Sequence, residues 1–144
     1  MALGKIEAVA VHGPARLEIG WDDGQRMAVD LAGIVAALAP LAPLRDAAEF
    51  SRVAISSDGW SLEWPSGVDF GAPQLRRWAD EQAGEIMAAS AFRAWIDKHA
   101  MTLEKAADAL GLSRRMVAYY LSGEKAIPKT VMLATMGFEA NEAV

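Results

Sequence analysis

The chain has 144 residues, 53% of them hydrophobic, with no cysteine and a formal net charge of −5. That length holds one ordinary domain or two small ones, the composition is that of a soluble globular protein, and the missing cysteine excludes disulfides and thiolate metal sites. The acidity is uneven: residues 1–89 carry 7 Lys+Arg against 13 Asp+Glu, whereas residues 90–144 carry 7 against 6, so any repulsion from nucleic-acid phosphates belongs to the first part.

Glu7 interrupts the apolar N-terminal stretch, which argues against a signal peptide. The longest uncharged run, residues 31–44, is too short to span a bilayer and contains Pro40 and Pro43. A cytoplasmic protein without membrane contact is expected. Residues 5–11 predict a first strand. In "ARLEIGW" (15–21), Leu17, Ile19 and Trp21 alternate with polar or small residues, the period of a half-buried strand. Asp23-Gly24 is a hairpin signal, and Met27, Val29 and Leu31 repeat the alternation on the return strand. Residues 31–39 predict a short helix ended by Pro40. A second hairpin is expected from "RVAISS" (52–57), Asp58-Gly59 and "WSLEW" (60–64), with Trp60, Leu62 and Trp64 on one face.

After Pro73 the period changes to helical up to about Ser90, with Gly84 as a break or kink. Phe92, Trp95, Ile96 and His99 then follow i, i+3, i+4, i+7 spacing, one apolar stripe. His99, at the end of that stripe, reads as a core or helix-capping residue. Thr102 is a helix-start residue type before "LEKAADAL", which Gly111 ends; Ser113 opens "RRMVAYYLS", which Gly123 ends; Pro128 introduces a last helix. Short helices joined by so brief a turn have helix-turn-helix spacing. The expected organisation is a small α+β domain over 1–74 with a largely antiparallel sheet, a connecting helix over 75–90, and an all-α helix-turn-helix domain over 91–144.

Residues 91–138 resemble the Cro/lambda-repressor (xenobiotic-response-element) type of helix-turn-helix. Thr102, Ala107, Leu110, Gly111, Leu112, Ser113, Val117, Tyr120, Gly123 and Pro128 carry the likeness. Leu103 stands where that family often has Gln, and Leu121-Ser122 where it often has Glu-Asn. The resemblance implies a third helix entering the DNA major groove by its N-terminal end. Arg114, Arg115, Ala118 and Tyr119 would then be base contacts, Arg being suited to guanine and Ala to a thymine methyl. Thr102, Ser113, Ser122, Lys125 and Lys129 would lie near phosphates. The other reading is that the two arginines are solvated charges on a fold used for protein contacts.

The first part has a second likeness. "WDDG" (21–24), "DL" (30–31), "APLRDAAEF" (42–50) and "WPSGVD" (64–69) together resemble a small bacterial family known as domain of unknown function 2442, over about residues 5–80. The resemblance implies a domain found alone or joined to a helix-turn-helix, and in some cases an antitoxin-like role toward a small protein partner. Turn chemistry accounts for every residue of "WPSGVD", with Asp69 accepting backbone N–H groups. The alternative is an interaction surface built on Trp60, Trp64 and Asp69.

Neither a phosphate-cradling glycine loop nor metal-ligand spacing is present, and the two histidines, His12 and His99, lie in a turn and on an apolar stripe. The sequence therefore predicts a non-enzymatic regulator without cofactor or metal. Its expected partners are double-stranded DNA, a second copy of itself and, through the first domain, a small protein.

Overall fold

Three short runs of alternating side chains open the fold: β1 (Ile6–Val11), β2 (Arg16–Trp21) and β3 (Arg26–Asp30), an antiparallel meander in the order β1-β2-β3. The computed structural model describes residues 2–142. Leu17, Ile19 and Trp21 are all buried, as their alternation requires, and Val29 and Leu31 meet them from β3 and its end. Gly24 turns the β2–β3 hairpin at φ +85°, a conformation that glycine adopts without a Cβ penalty. Asp23 braces the turn by accepting the Gln25 N–H at 3.0 Å.

The short helix expected after β3 is α1 (Ala32–Ala37). Pro40 does not end the ordered backbone there. The chain continues as a 3-10 helix, Ala39–Arg45, with Pro40 near its start and Pro43 inside it. Arg45 ties the two together by donating Nε to the Val35 carbonyl at 3.1 Å and Nη2 to the Ala36 carbonyl at 3.3 Å. Asp46 then caps α2 (Ala47–Phe50) through the Ala48 N–H. A second antiparallel sheet follows, β4 (Ala54–Ile55), β5 (Ser61–Glu63) and β6 (Asp69–Gly71), in chain order. It is shorter than the alternation predicts. Ile6 of β1 donates to the Gly59 carbonyl at 2.8 Å, which links the two sheets.

The "WPSGVD" corner is built around a buried tryptophan. Trp64 is 4% exposed, and its indole Nε1 donates to the Phe50 carbonyl at 2.9 Å. Its ring packs against Phe50 and edge-on against Phe70. Gly67 turns at φ +95°. Asp69 does not hold the corner as expected; Glu49 does, its Oε2 accepting the Ser66 N–H at 2.9 Å. The proposed surface of Trp60, Trp64 and Asp69 is thus corrected: Trp64 is a core residue, whereas Trp60 and Asp69 are exposed.

The connecting helix expected over 75–90 is also corrected. α3 (Ala72–Gln82) starts directly after β6 and buries Ala72, Leu75 and Ala79 in the same core as the sheets. Arg76 lies over the Trp21 ring at 5.0 Å and pairs with Asp23 at 3.1 Å and Asp80 at 3.5 Å. Gln82 closes the helix onto β3, accepting the Asp30 N–H and donating to the Asp30 carbonyl, both at 2.8 Å. Gly84, at φ +76°, lies beyond the helix end. The chain accordingly divides into two compact units, Met1–Gln82 and Ala83–Val144.

The second unit holds α4 (Ala89–Lys98), α5 (Leu103–Leu110), α6 (Arg114–Ser122) and α7 (Lys129–Glu142). It is not all-α: β7 (Ile86–Met87) pairs antiparallel with β8 (Ile127–Pro128). Phe92, Trp95 and Ile96 of α4 form its core with Ala106, Ala107, Val117, Tyr120, Ile127 and Val131. His99 is held at the edge of that core, against Trp95 and Phe138. Its Nδ1 lies 3.0 Å from Glu142 and its Nε2 3.4 Å from Glu139. No helix among the described residues is long and apolar enough to cross a membrane.

Two expectations test the first unit. Trp64→Phe keeps most of the ring packing but leaves the Phe50 carbonyl without its donor, so equilibrium urea unfolding should show a loss of about 1–3 kcal/mol. The second concerns acid. Asp22 accepts the Leu3 N–H, the largest cause, and the Gly4 N–H, both at 2.9 Å, which hold its carboxyl below the ordinary range. A carboxyl lowered in the folded state stabilises it above the unfolded value of about 3.9, and that contribution fades as pH falls below it. Asp22→Asn should therefore destabilise at pH 7 and narrow the difference in unfolding midpoint between pH 7 and pH 3.

Candidate nucleic-acid interface

The candidate site is built on two short helices and the turn between them. Thr102 starts α5, its Oγ1 accepting the Lys105 N–H at 3.1 Å. Gly111 ends α5 at φ +70°, and the Leu112 N–H returns to the Ala107 carbonyl at 2.9 Å. Ser113 opens α6 by accepting the Met116 N–H at 3.1 Å, one of the donors that a helix start leaves open. At 100° per residue, Val117 and Tyr120 share one side of α6, and Arg114, Ala118, Arg115 and Tyr119 succeed one another on the other. Val117 and Tyr120 are buried, and Arg114, Arg115 and Ala118 are exposed.

Arg115 and Tyr119 are one turn apart and joined. Arg115 Nε donates to the Tyr119 hydroxyl at 2.7 Å, and its Cζ lies 5.3 Å from the ring centroid. Lys125, from the loop after α6, places its Nζ 5.1 Å from the same centroid. One tyrosine thus has two cations beside it, Arg115 at its hydroxyl and Lys125 at its ring. Arg114 meets a carboxylate instead, its Nη1 lying 3.7 Å from Glu104 Oε1. That pair is exposed and contributes little to stability, but it offsets one positive charge on this face.

The candidate phosphate-facing residues are at element ends. Ser122 donates to the Tyr119 carbonyl at 3.1 Å and accepts the Glu124 N–H at 3.3 Å. Lys129 is the exposed first residue of α7. The structure thus brings Arg115, Tyr119 and Lys125 together and puts Arg114 and Ala118 beside the first two on α6. The oxygens of Thr102, Ser113 and Ser122 already serve their own helix ends. Sequence reasoning missed Glu104. It stands ten residues before Arg114 on another helix, outside the i, i+4 spacing that marks a helical ion pair.

The first unit offers a different feature. A groove of about 360 Å³ opens between α1, the 3-10 helix and α2, floored by Val35, Leu44 and Phe50 and rimmed by Ala32, Ala36 and Arg45. Four of its lining residues come from the "APLRDAAEF" stretch: Leu44, Arg45, Ala47 and Phe50.

Comparison with known proteins gives the chain a family. Residues 6–81 match the model of a protein of unknown function, DUF2442. This range ends within α3, in keeping with the place of that helix in the first unit. Among curated proteins none matches. The chain is similar to the crystal structure of a putative DNA binding protein from Nitrosomonas europaea, at 40% identity and a TM-score of 0.55, over 94% of this chain and 86% of that one. A match of that extent takes in most of the second unit as well as the first. The chain belongs to the DUF2442 family.

Proposed function

We propose that the chain is a sequence-specific DNA-binding transcriptional regulator whose second unit is a helix-turn-helix of the Cro/lambda-repressor kind. It works in the cytoplasm, without catalysis or cofactor. The observation that carries this reading is the outward side of α6. Its inward residues explain the packing, and Arg114, Arg115, Ala118 and Tyr119 remain on a side the fold does not need. The likeness to the Nitrosomonas europaea protein, described as a putative DNA binding protein, supports it.

In this reading α6 lies in the major groove and Arg115 meets a guanine edge. Lys125, Lys129 and the polar ends of α5 and α6 face phosphates. One helix reads few base pairs, so two copies act together on a palindromic operator with half-sites about 34 Å apart. A second reading concerns the first unit: its apolar groove suits a small protein partner, as in an antitoxin. The two are compatible in one regulator.

Selection of binding sequences from random duplexes tests the main reading. The wild-type chain should enrich a palindromic sequence, with affinity falling steeply as salt rises. Arg115→Ala should lose the preference at one base pair per half-site, a cost of about 1–3 kcal/mol there. Enrichment of nothing by the wild type, or an unchanged preference in the variant, overturns the assignment.

A further inference from the structure

The geometry points to Tyr119 as a positioning residue that fixes how Arg115 reads its base, rather than as a base reader itself. This inference rests on the DNA-binding reading of α6. Its starting point is the use of the tyrosine hydroxyl: it already accepts the Arg115 Nε–H at 2.7 Å.

A guanidinium can fork onto guanine side-on, through Nε and one Nη, or end-on, through both Nη groups. Nε here is spent on Tyr119, which leaves the end-on fork. The guanidinium lies off the hydroxyl end of the ring, with Cζ 5.3 Å from the centroid. Arg115 thus enters the groove already oriented, and less side-chain freedom is lost when it meets O6 and N7. No carboxylate is paired with Arg115 among the described residues, so both Nη groups stay open to a base. Arg114 differs in this respect, since Glu104 faces its Nη1. Of the two arginines, Arg115 is therefore the reader of a guanine, and Arg114 contributes charge that Glu104 tempers.

Lys125 completes the arrangement. Its Nζ is 5.1 Å from the Tyr119 centroid, and its own backbone N–H donates to the Tyr119 carbonyl at 3.3 Å. The ammonium is held beside the reading arginine, where it meets the backbone flanking the read base. Tyr119 so links a specific contact to a charge contact.

The test is a double-mutant cycle on the full-length chain. Wild type, Tyr119→Phe, Arg115→Ala and the double variant are titrated against the enriched duplex and against the same duplex with the read guanine exchanged. Tyr119→Phe keeps the ring and removes only the hydroxyl, and a thermal unfolding curve checks that each variant is folded. The expected result is that Tyr119→Phe lowers discrimination at that base pair about three- to tenfold and leaves the salt dependence of binding unchanged. In the Arg115→Ala background the same change should have no further effect on discrimination. A merely structural role would shift the unfolding temperature and not the base preference. Wild-type discrimination in Tyr119→Phe, or an equal effect with and without Arg115, overturns the positioning role alone. A wild-type chain that enriches no sequence overturns the DNA reading itself, and the positioning role with it.

Discussion

The second unit depends on one short backbone bond, from the Leu112 N–H to the Ala107 carbonyl, at 2.9 Å. It closes α5 while Gly111 swings the chain out at a positive φ that a side chain would resist. Two residues later Ser113 supplies the cap of α6. With so little chain between them, α5 and α6 must meet at a fixed angle. The small Ala107, 4% exposed, lies one turn before the Gly111 cap of α5. Once that angle is set, α6 has one side facing the core and one side facing away. The arginines are on the outer side because Val117 and Tyr120 need the inner one.

The first unit relies on a different kind of fixing. Its second sheet is short, and two-residue strands such as β4 contribute few hydrogen bonds. Side chains that stand in for backbone supply the rest. The Trp64 indole holds the Phe50 carbonyl, Glu49 holds the Ser66 amide, and Arg45 holds two carbonyls of α1. The Phe50 carbonyl is buried and must find a partner; the Glu49 and Arg45 bonds lie nearer the surface and tie irregular chain together. Several of these residues fall in the segments that made the family legible, "APLRDAAEF" and "WPSGVD".

What could be read from sequence follows from range. Leu17, Ile19 and Trp21 announce β2 because period-two alternation is local. Thr102, Gly111, Ser113 and Gly123 announce helix ends because caps act within one turn. α3 is visible in its helix formers but its place is not: Leu75 and Ala79 mark a buried stripe, yet nothing in the sequence says which core it enters. The β7–β8 pair was invisible, since two residues carry no period and their partners lie forty residues apart. The candidate site divides in the same way. The outward position of Arg114 and Arg115 follows from helical spacing. The hydroxyl bond within the Arg115–Tyr119 pair needs side-chain rotamers, and the Glu104 contact needs the angle between two helices.

The Gln82 amide has a consequence for how copies of this chain can meet. β3 is an outer strand of its sheet, and such a strand offers open N–H and C=O groups to any other extended chain. At Asp30 both groups are taken by one glutamine side chain, which copies the bonding of a neighbouring strand. Another strand could extend the sheet past that point only by evicting the glutamine and, with it, the last turn of α3. At Asp30 the amide closes the outer edge of β3 to a further strand.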